Sequence, residues 1–302
     1  MTAGLGSVLV TGASGFVGRA LRRQLNDAGW RLRTPGRGDL GDIGPDTDWR
    51  PWLDDADAVV HLAARVHVMR ESAADAAALY DRTNRAATER LAAQSVRAGV
   101  RRFVFLSSVK VHGEHADRPL TAADAPHPSD PYGRSKYAAE LALRDLIDLE
   151  TVILRPPLVY GPGVRGNFLT LMRAVDRGWP LPFAGIANRR SFIYLGNLVD
   201  AIAAALTAPP GIYLPSDRQD LSTPTLIRAV AAAMGRPARL FPMPLALLRA
   251  TAGALGRRAA IDRLCGSLTV DGDMPGWQPR FTLEQGLAAT ADGYRQAGPQ
   301  VL

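Results

Sequence analysis

The apolar run Val8-Leu9-Val10 passes directly into Thr11-Gly12-Ala13-Ser14-Gly15-Phe16-Val17-Gly18 and then into a helical pattern from Arg19. A strand, a glycine-rich turn and a helix in that order leave few folds open. Glycines at 12, 15 and 18 permit a tight turn, close approach of backbone to a diphosphate, and close packing of helix on strand. The helix N-terminus then offers free N–H groups to phosphates. Gly12, Ser14, Gly15, Phe16, Val17 and Gly18 are therefore candidate cofactor contacts. Spaced glycines alone would carry little weight in a chain that has 29 of them; the flanking strand and helix make the case for a dinucleotide.

The first half continues the alternation, with apolar β-rich runs at 7–10, 31–33, 58–62, 103–106 and 151–154 and helical patterns at 18–28, 81–98 and 132–149. Such alternation predicts an α/β fold, a doubly wound parallel sheet of the Rossmann type. Runs such as Phe103-Val104-Phe105-Leu106 are apolar on both faces, as strands covered by helices on both sides must be. From Tyr160 onward prolines and glycines separate short helices such as 225–234 and 283–290. The reading is a dinucleotide-binding domain over 1–160 and a smaller α/β substrate domain over 161–302, with residues about 190–206 returning to the first.

A second motif supplies chemistry. Asp130-Pro131-Tyr132-Gly133-Arg134-Ser135-Lys136 opens a helix with Asp130 at the N-cap and Pro131 at the first helical position. Tyr132 and Lys136 then lie one turn apart on one face. A phenol of pKa about 10 is a poor base, but an ammonium, a helix terminus and an oxidised nicotinamide each stabilise its phenolate. Seven tyrosines and two lysines in 302 positions would give about 0.05 such pairs by chance. Of the 36 basic residues only Lys110 and Lys136 are lysine, so lysine is kept in this one region. Upstream, Ser107-Ser108 ends an apolar strand at the edge where open α/β sheets bind ligands, and the Ser108 hydroxyl becomes a candidate hydrogen-bond donor to a reacting oxygen.

The dinucleotide is distinguished at the end of the second strand, where an acid holds a ribose hydroxyl and an arginine accepts a 2′-phosphate. Arg33 and Arg37 precede the first acid, Asp39, which favours NADP over NAD, with Arg37 as the phosphate reader.

Together, the Thr11–Gly18 turn, His61-Leu62-Ala63-Ala64, Ser107-Ser108, Tyr132-x-x-x-Lys136 and Arg155-Pro156-Pro157-Leu158-Val159-Tyr160-Gly161-Pro162-Gly163 resemble the extended short-chain dehydrogenases, the nucleotide-sugar epimerase and dehydratase family. The resemblance implies Tyr132 as acid and base, Lys136 as its electrostatic and ribose partner, and Ser108 as a second donor. It adds Leu62, Ala63, Ala64, Asn84 and Pro156 as cofactor contacts. The family's sugar dehydratases carry an acid pair where this chain has Val109 and Lys110, so dehydration is disfavoured. Hydride exchange at C4 of a UDP-linked hexose or N-acetylhexosamine remains, reversible in a 4-epimerase or one-way in a 4-keto-reductase; a ketone reductase of a non-nucleotide substrate on the same fold, or a non-catalytic NADP-binding sensor, is the alternative. Leu158, where UDP-galactose 4-epimerases have an asparagine, argues against plain UDP-glucose/UDP-galactose exchange, and Arg37 favours a reductase. Residues 160–168, 188–191 and 262–264 resemble the subgroup acting on UDP-N-acetylhexosamines for bacterial surface polysaccharide. Guanidinium forks suit a diphosphate, and Arg190, Asn167 and Arg263 are its candidate contacts. Residues 267–277 look shortened against the family, and a homodimer through the helices at 81–98 and 132–149 is implied.

Composition excludes other classes. A net charge of +7 is dispersed without a basic block, which argues against nucleic acid. No leader-like segment and no spanning apolar run are present, so a cytoplasmic chain without a membrane partner is expected. Cys265 is the only cysteine and reads as a buried small hydrophobe. His112, His115 and His127 read as loop histidines, and no metal is expected.

Overall fold

The computed structural model describes residues 6–66, 73–254, 256 and 258–298. Its strands are β1 (Ser7–Thr11), β2 (Arg31–Arg33), β3 (Ala58–His61), β4 (Arg102–Leu106), β5 (Glu150–Leu154), β6 (Leu158–Tyr160), β7 (Phe192–Tyr194) and β8 (Gly211–Tyr213). Six form one sheet in the order β2-β1-β3-β4-β5-β8, every neighbouring pair parallel, while β6 and β7 form a separate parallel pair. The chain leaves β1 toward β2 on one side and β3 on the other, so the strand order reverses at β1. A crevice opens there, beyond the strands' carboxyl ends.

The helices are α1 (Phe16–Asp27), α2 (Arg37–Leu40), α3 (Arg50–Leu53), α4 (Ala73–Tyr80), α5 (Ala87–Arg97), α6 (Pro131–Arg144), α7 (Gly166–Asp176), α8 (Leu195–Ala204), α9 (Thr223–Met234), α10 (Leu245–Ala254), α11 (Arg258–Cys265) and α12 (Leu283–Ala297). Strand alternation assigns them to faces. Val8, Val10, Val60, Val104 and Leu154 pack with Leu21 and Leu25 of α1 and Leu198 and Ile202 of α8. The intervening Leu9, Val59, Phe103, Phe105 and Ile153 pack with Leu91 of α5 and Ala139 and Leu143 of α6. A further core of Tyr160, Phe168, Met172, Phe183, Ile227 and Leu287 joins α7, α9 and α12.

Several element bounds differ from the sequence reading. The helix expected over 81–98 opens as a π-helix, Asp81–Ala86, before α5. Helix α6 stops at Arg144 rather than 149, because Glu150 must already donate to the Arg101 carbonyl (2.9 Å) to start β5, and the chain turns in between. Helix α12 runs on to Ala297, beyond the expected 290, from a reciprocal cap between Thr282 and Gln285. Residues 268–277 fold back onto both regions: Leu268 and Val270 pack on Val109 and Leu214, and Trp277 donates to Asp200 (3.0 Å).

Candidate active site

The glycine-rich turn is fixed by its own packing. Gly12 has φ +68, and a Cβ there would lie 2.7 Å from the Ala63 nitrogen. A Cβ at Gly18 would lie 2.2 Å from the Gly12 carbonyl oxygen, so α1 can approach the strand only through a glycine. Gly15, the N-cap of α1, offers no side-chain cap, and the first turn carries no acid. Its N–H groups are suited to an anion in both hydrogen bonding and dipole.

Buried groups couple this turn to β3. Thr88 donates to the Asn84 carbonyl (2.6 Å), so its oxygen accepts from His61 Nε2 (2.9 Å). His61 Nδ1 then accepts from the Thr11 hydroxyl (2.7 Å), whose oxygen accepts from the Ala63 N–H (3.2 Å). The imidazole is neutral, its pKa lowered to about 3 by burial and by the Lys136 charge. Leu62, Ala63 and Ala64 are thereby held, half-buried, at the crevice.

Asn84 lies behind this wall. It is buried, and its amide accepts from Arg65 N–H (2.8 Å) and donates to the Arg65 carbonyl (3.1 Å) and Ser135 Oγ (2.9 Å). All of these bonds clamp the post-β3 loop to α6. Arg37 starts α2, just beyond β2, with its side chain 87% exposed and 3.3 Å from Asp42. Pro156 is buried and its carbonyl accepts from Val109 N–H (3.0 Å), tying the segment after β5 to the Ser108 turn.

Helix α6 begins as its sequence dictates. Asp130 Oδ1 accepts from Gly133 N–H (2.6 Å), and Oδ2 accepts from Lys110 Nζ (2.6 Å), which also reaches Glu114 (2.9 Å). One of the two lysines thus locks the cap of the helix that carries the other. A Cβ at Gly133 would lie 2.6 Å from the Lys110 carbonyl oxygen, so glycine lets the 3₁₀ turn Val109–His112 close against α6.

This closure brings Ser108 to Tyr132. The two side chains are neighbours, and the Tyr132 ring packs edge-on against Tyr80 at 6.2 Å. Burial raises the Tyr132 pKa, the Asp130 charge adds to this, and the Ser108 hydroxyl opposes it. Lys136 is 1% exposed, its Nζ 4.0 Å from the Phe105 ring centroid. Burial lowers its pKa to about 7 against the pull of Glu140. With these neighbours the phenol is a proton donor.

Sequence reasoning assigned no role to the network behind Lys136. Glu140, one turn further along α6, accepts from Ser107 Oγ (2.5 Å) and from Arg155 Nε (3.1 Å) and Nη2 (2.5 Å), and both charged side chains are buried. Arg155 Nη1 meets His112 Nε2 (2.9 Å). His112 is therefore a buried member of the network and not a loop histidine; burial and the adjacent guanidinium lower its pKa. The i, i+4 spacing of Lys136 and Glu140 was the available signal.

In the substrate region proposed from the sequence, Asn167 is exposed in the first turn of α7. Arg190 is half-buried, and its Nη1 donates to the carbonyls of Arg263 (2.7 Å) and Gly266 (3.0 Å). Arg190 and Arg263 are therefore neighbours, and the guanidinium spends one nitrogen on holding the end of α11. Asn188 donates to Leu264 (2.9 Å) and Gly266 (3.0 Å) beside it. A cavity of about 660 Å³ lies here, lined by residues including Asn188, Pro242, Leu245, Cys265 and Ser267. Cys265 is half-buried, lining that cavity and packed against the core of Phe168, Ile227 and Leu287. Among the described residues no cluster of three or more histidine, cysteine, aspartate or glutamate side chains could hold a metal ion.

The NAD dependent epimerase/dehydratase family matches residues 8–214. A UDP-glucose 4-epimerase of Vibrio cholerae is 38% identical, the match covering 96% of each chain. The N-acetyl-alpha-D-glucosaminyl-diphospho-ditrans,octacis-undecaprenol 4-epimerase of Escherichia coli O157:H7 is 28% identical over 94% of each. Among solved structures, MoeE5 in complex with UDP-glucuronic acid and NAD superposes with a TM-score of 0.75 at 27% identity, covering 97% of this chain and 100% of that one. A glycine turn at the point of strand reversal, a capped helix presenting tyrosine and lysine, and these matches converge: the chain belongs to the NAD dependent epimerase/dehydratase family and has its Rossmann fold, that of the extended short-chain dehydrogenases.

Proposed function

We propose that the chain is a nicotinamide-dependent enzyme exchanging hydride at C4 of a UDP-linked hexose or N-acetylhexosamine, as a 4-epimerase. The observation that carries this reading is the placing of Ser108 beside Tyr132, one turn from Lys136, at the carboxyl edge of a sheet whose reversal point holds the glycine turn. The similarity to a UDP-glucose 4-epimerase over the whole chain supports the reaction class. Residues 1–160 hold the cofactor and 161–302 mainly the nucleotide-sugar, in a cytoplasmic homodimer paired through α5 and α6.

The fit to a dinucleotide rests on the backbone at Gly12, Gly15 and Gly18, with the helix terminus cradling the diphosphate and Leu62, Ala63, Ala64 and Pro156 forming the walls. A bound nicotinamide would supply the acceptor and the donor for the C4 hydride. Tyr132 accepts the proton of the C4 hydroxyl, Ser108 donates to the same oxygen, and Lys136 stabilises the phenolate and holds the ribose. If the 4-keto sugar turns over so that the hydride would return to the opposite face of C4, Tyr132 gives the proton back to the C4 oxygen and the configuration is inverted. Asn167, Arg190 and Arg263 hold the diphosphate.

The second reading, a 4-keto-sugar reductase, is favoured by Arg37, which stands exposed beyond β2 where a 2′-phosphate would lie. One experiment separates the two. UDP-glucose, UDP-N-acetylglucosamine and a UDP-4-keto-6-deoxy-N-acetylhexosamine are offered with NADH or NADPH, and products are followed by NMR. Epimers without net cofactor consumption support the epimerase; stoichiometric oxidation with the keto-sugar supports the reductase. Absence of both rejects the proposal.

A further inference from the structure

Trp179, Phe241 and Leu247 are 54%, 38% and 52% exposed, and the chain gathers them on one arm of the substrate region. Leu181 pairs with Leu240 in a parallel bridge: its N–H donates to the Arg239 carbonyl (2.8 Å), and Phe241 N–H donates to the Leu181 carbonyl (3.1 Å). Trp179 thus precedes the bridge by two residues and Phe241 follows it by one. Pro242-Met243-Pro244 then leads into α10, which buries Leu248 and Ala252 and leaves Ala246, Leu247, Ala250, Gly253 and Ala254 exposed. An apolar helix that exposes this much of its surface has given up burial that a core would supply.

Charge frames the same surface. Arg177, Arg236, Arg239, Arg249 and Arg258 are exposed. Against them stand Asp176, 3.0 Å from Arg236, and Asp262, 2.8 Å from Arg249 and 3.8 Å from Arg258. The Arg177 guanidinium lies 5.2 Å from the Trp179 ring centroid. A half-exposed indole, aliphatic side chains and an excess of arginine compose a surface that seats at a bilayer interface, where the indole and leucine enter the headgroup boundary and the guanidinium groups meet anionic phosphates. A second copy of this chain is a poor occupant, since two arginine-rimmed faces repel.

We propose that residues 177–182, 236–241 and α10 form a peripheral docking surface for an anionic phospholipid bilayer. No helix among the described residues is long and apolar enough to cross a membrane, so the attachment is to one leaflet, a membrane partner that the sequence reading did not anticipate. Pro242, Met243, Pro244 and Leu245 also line the 660 Å³ cavity, so docking sets one wall of that cavity at the lipid surface.

Purified full-length protein sedimented with phosphatidylcholine vesicles, and with vesicles in which phosphatidylglycerol replaces part of the phosphatidylcholine, tests this directly. We expect retention at least about tenfold greater on the anionic vesicles, weakened by salt, with a blue shift of fluorescence that disappears in Trp179→Phe. Trp179→Ser combined with Leu247→Ser is expected to release the protein while its circular dichroism is unchanged, and Arg177→Glu with Arg239→Glu to do the same. Failure of the wild type to bind anionic vesicles overturns the proposal. So does binding undiminished in the Trp179/Leu247 variant, which would indicate adsorption by charge alone. A wild-type dimer by light scattering that Leu247→Ser dissociates would assign the surface to a second copy and overturn it equally.

Discussion

The two walls of the crevice are built on different principles. On the catalytic wall, Ser108, Tyr132 and Lys136 stand in front of a buried set of groups, with Glu140 and Arg155 0–1% exposed and mutually satisfied. On the substrate wall, Arg190 is half-buried, bonded to backbone carbonyls 73 and 76 residues away, and Asn167 is exposed. The first arrangement fixes protonation states, which a proton-transferring site requires. The second leaves guanidinium nitrogens and amide groups free to take up a ligand's oxygens. In the proposed function, chemistry sits on the buried, bonded side and recognition on the more exposed one.

The contrast can be broken in graded steps. Tyr132→Phe removes the transferable proton while leaving the packing against Tyr80. Turnover is expected to fall by about 10²–10⁴-fold with an unchanged urea midpoint, and activity within a few-fold of wild type would refute the assigned role. Glu140→Ala leaves the Arg155 guanidinium buried and uncompensated, and is expected to cost about 3–5 kcal/mol of stability in urea unfolding. Arg190→Ala, by contrast, should raise KM for a UDP-sugar by about 10–100-fold, since charged hydrogen bonds contribute about 1.5–3 kcal/mol, with a smaller loss of stability than Glu140→Ala. Equal stability losses at the two sites would erase the distinction between the walls.

A further effect concerns pH. Burial lowers Lys136 to about 7 from its ordinary 10.5, so between those values the unfolded chain holds a proton that the folded one has lost. The Lys136 contribution to stability therefore rises with pH from about 7 to 10.5. Unfolding of wild type and Lys136→Met across this window should differ by that rise, and parallel profiles would show that the ammonium is not desolvated.

What the sequence made legible follows the same division. The strand, glycine turn and helix at 7–27 and the capped helix from Asp130 are local patterns, set by spacings of three or four residues, and their partners lie close in the chain. The Glu140–Arg155 pair was half legible, since Glu140 follows Lys136 at one turn but nothing local announces Arg155 as its counterion. His112 looked like a loop residue because its neighbours are polar; its burial depends on packing of the Val109–His112 turn against α6 and on Arg155, 43 residues on. Arg190 next to α11 is a long-range contact, which helical and strand periodicities do not encode. The π-helix at Asp81–Ala86 was invisible for another reason: its sequence has an ordinary helical pattern, and the register shift that buries Asn84 against Ser135 is a tertiary demand.

The account turns on hydride exchange at C4 by the Tyr132 wall, and isotope retention measures that most directly. A UDP-N-acetylhexosamine and a UDP-hexose carrying deuterium at C4 are incubated with the protein and nicotinamide cofactor, and the sugar is read by ¹H and ²H NMR. The predicted result is inversion at C4 with the deuterium still on that carbon, and no inversion in Tyr132→Phe. Deuterium lost to water, or turnover that leaves C4 untouched, would contradict it.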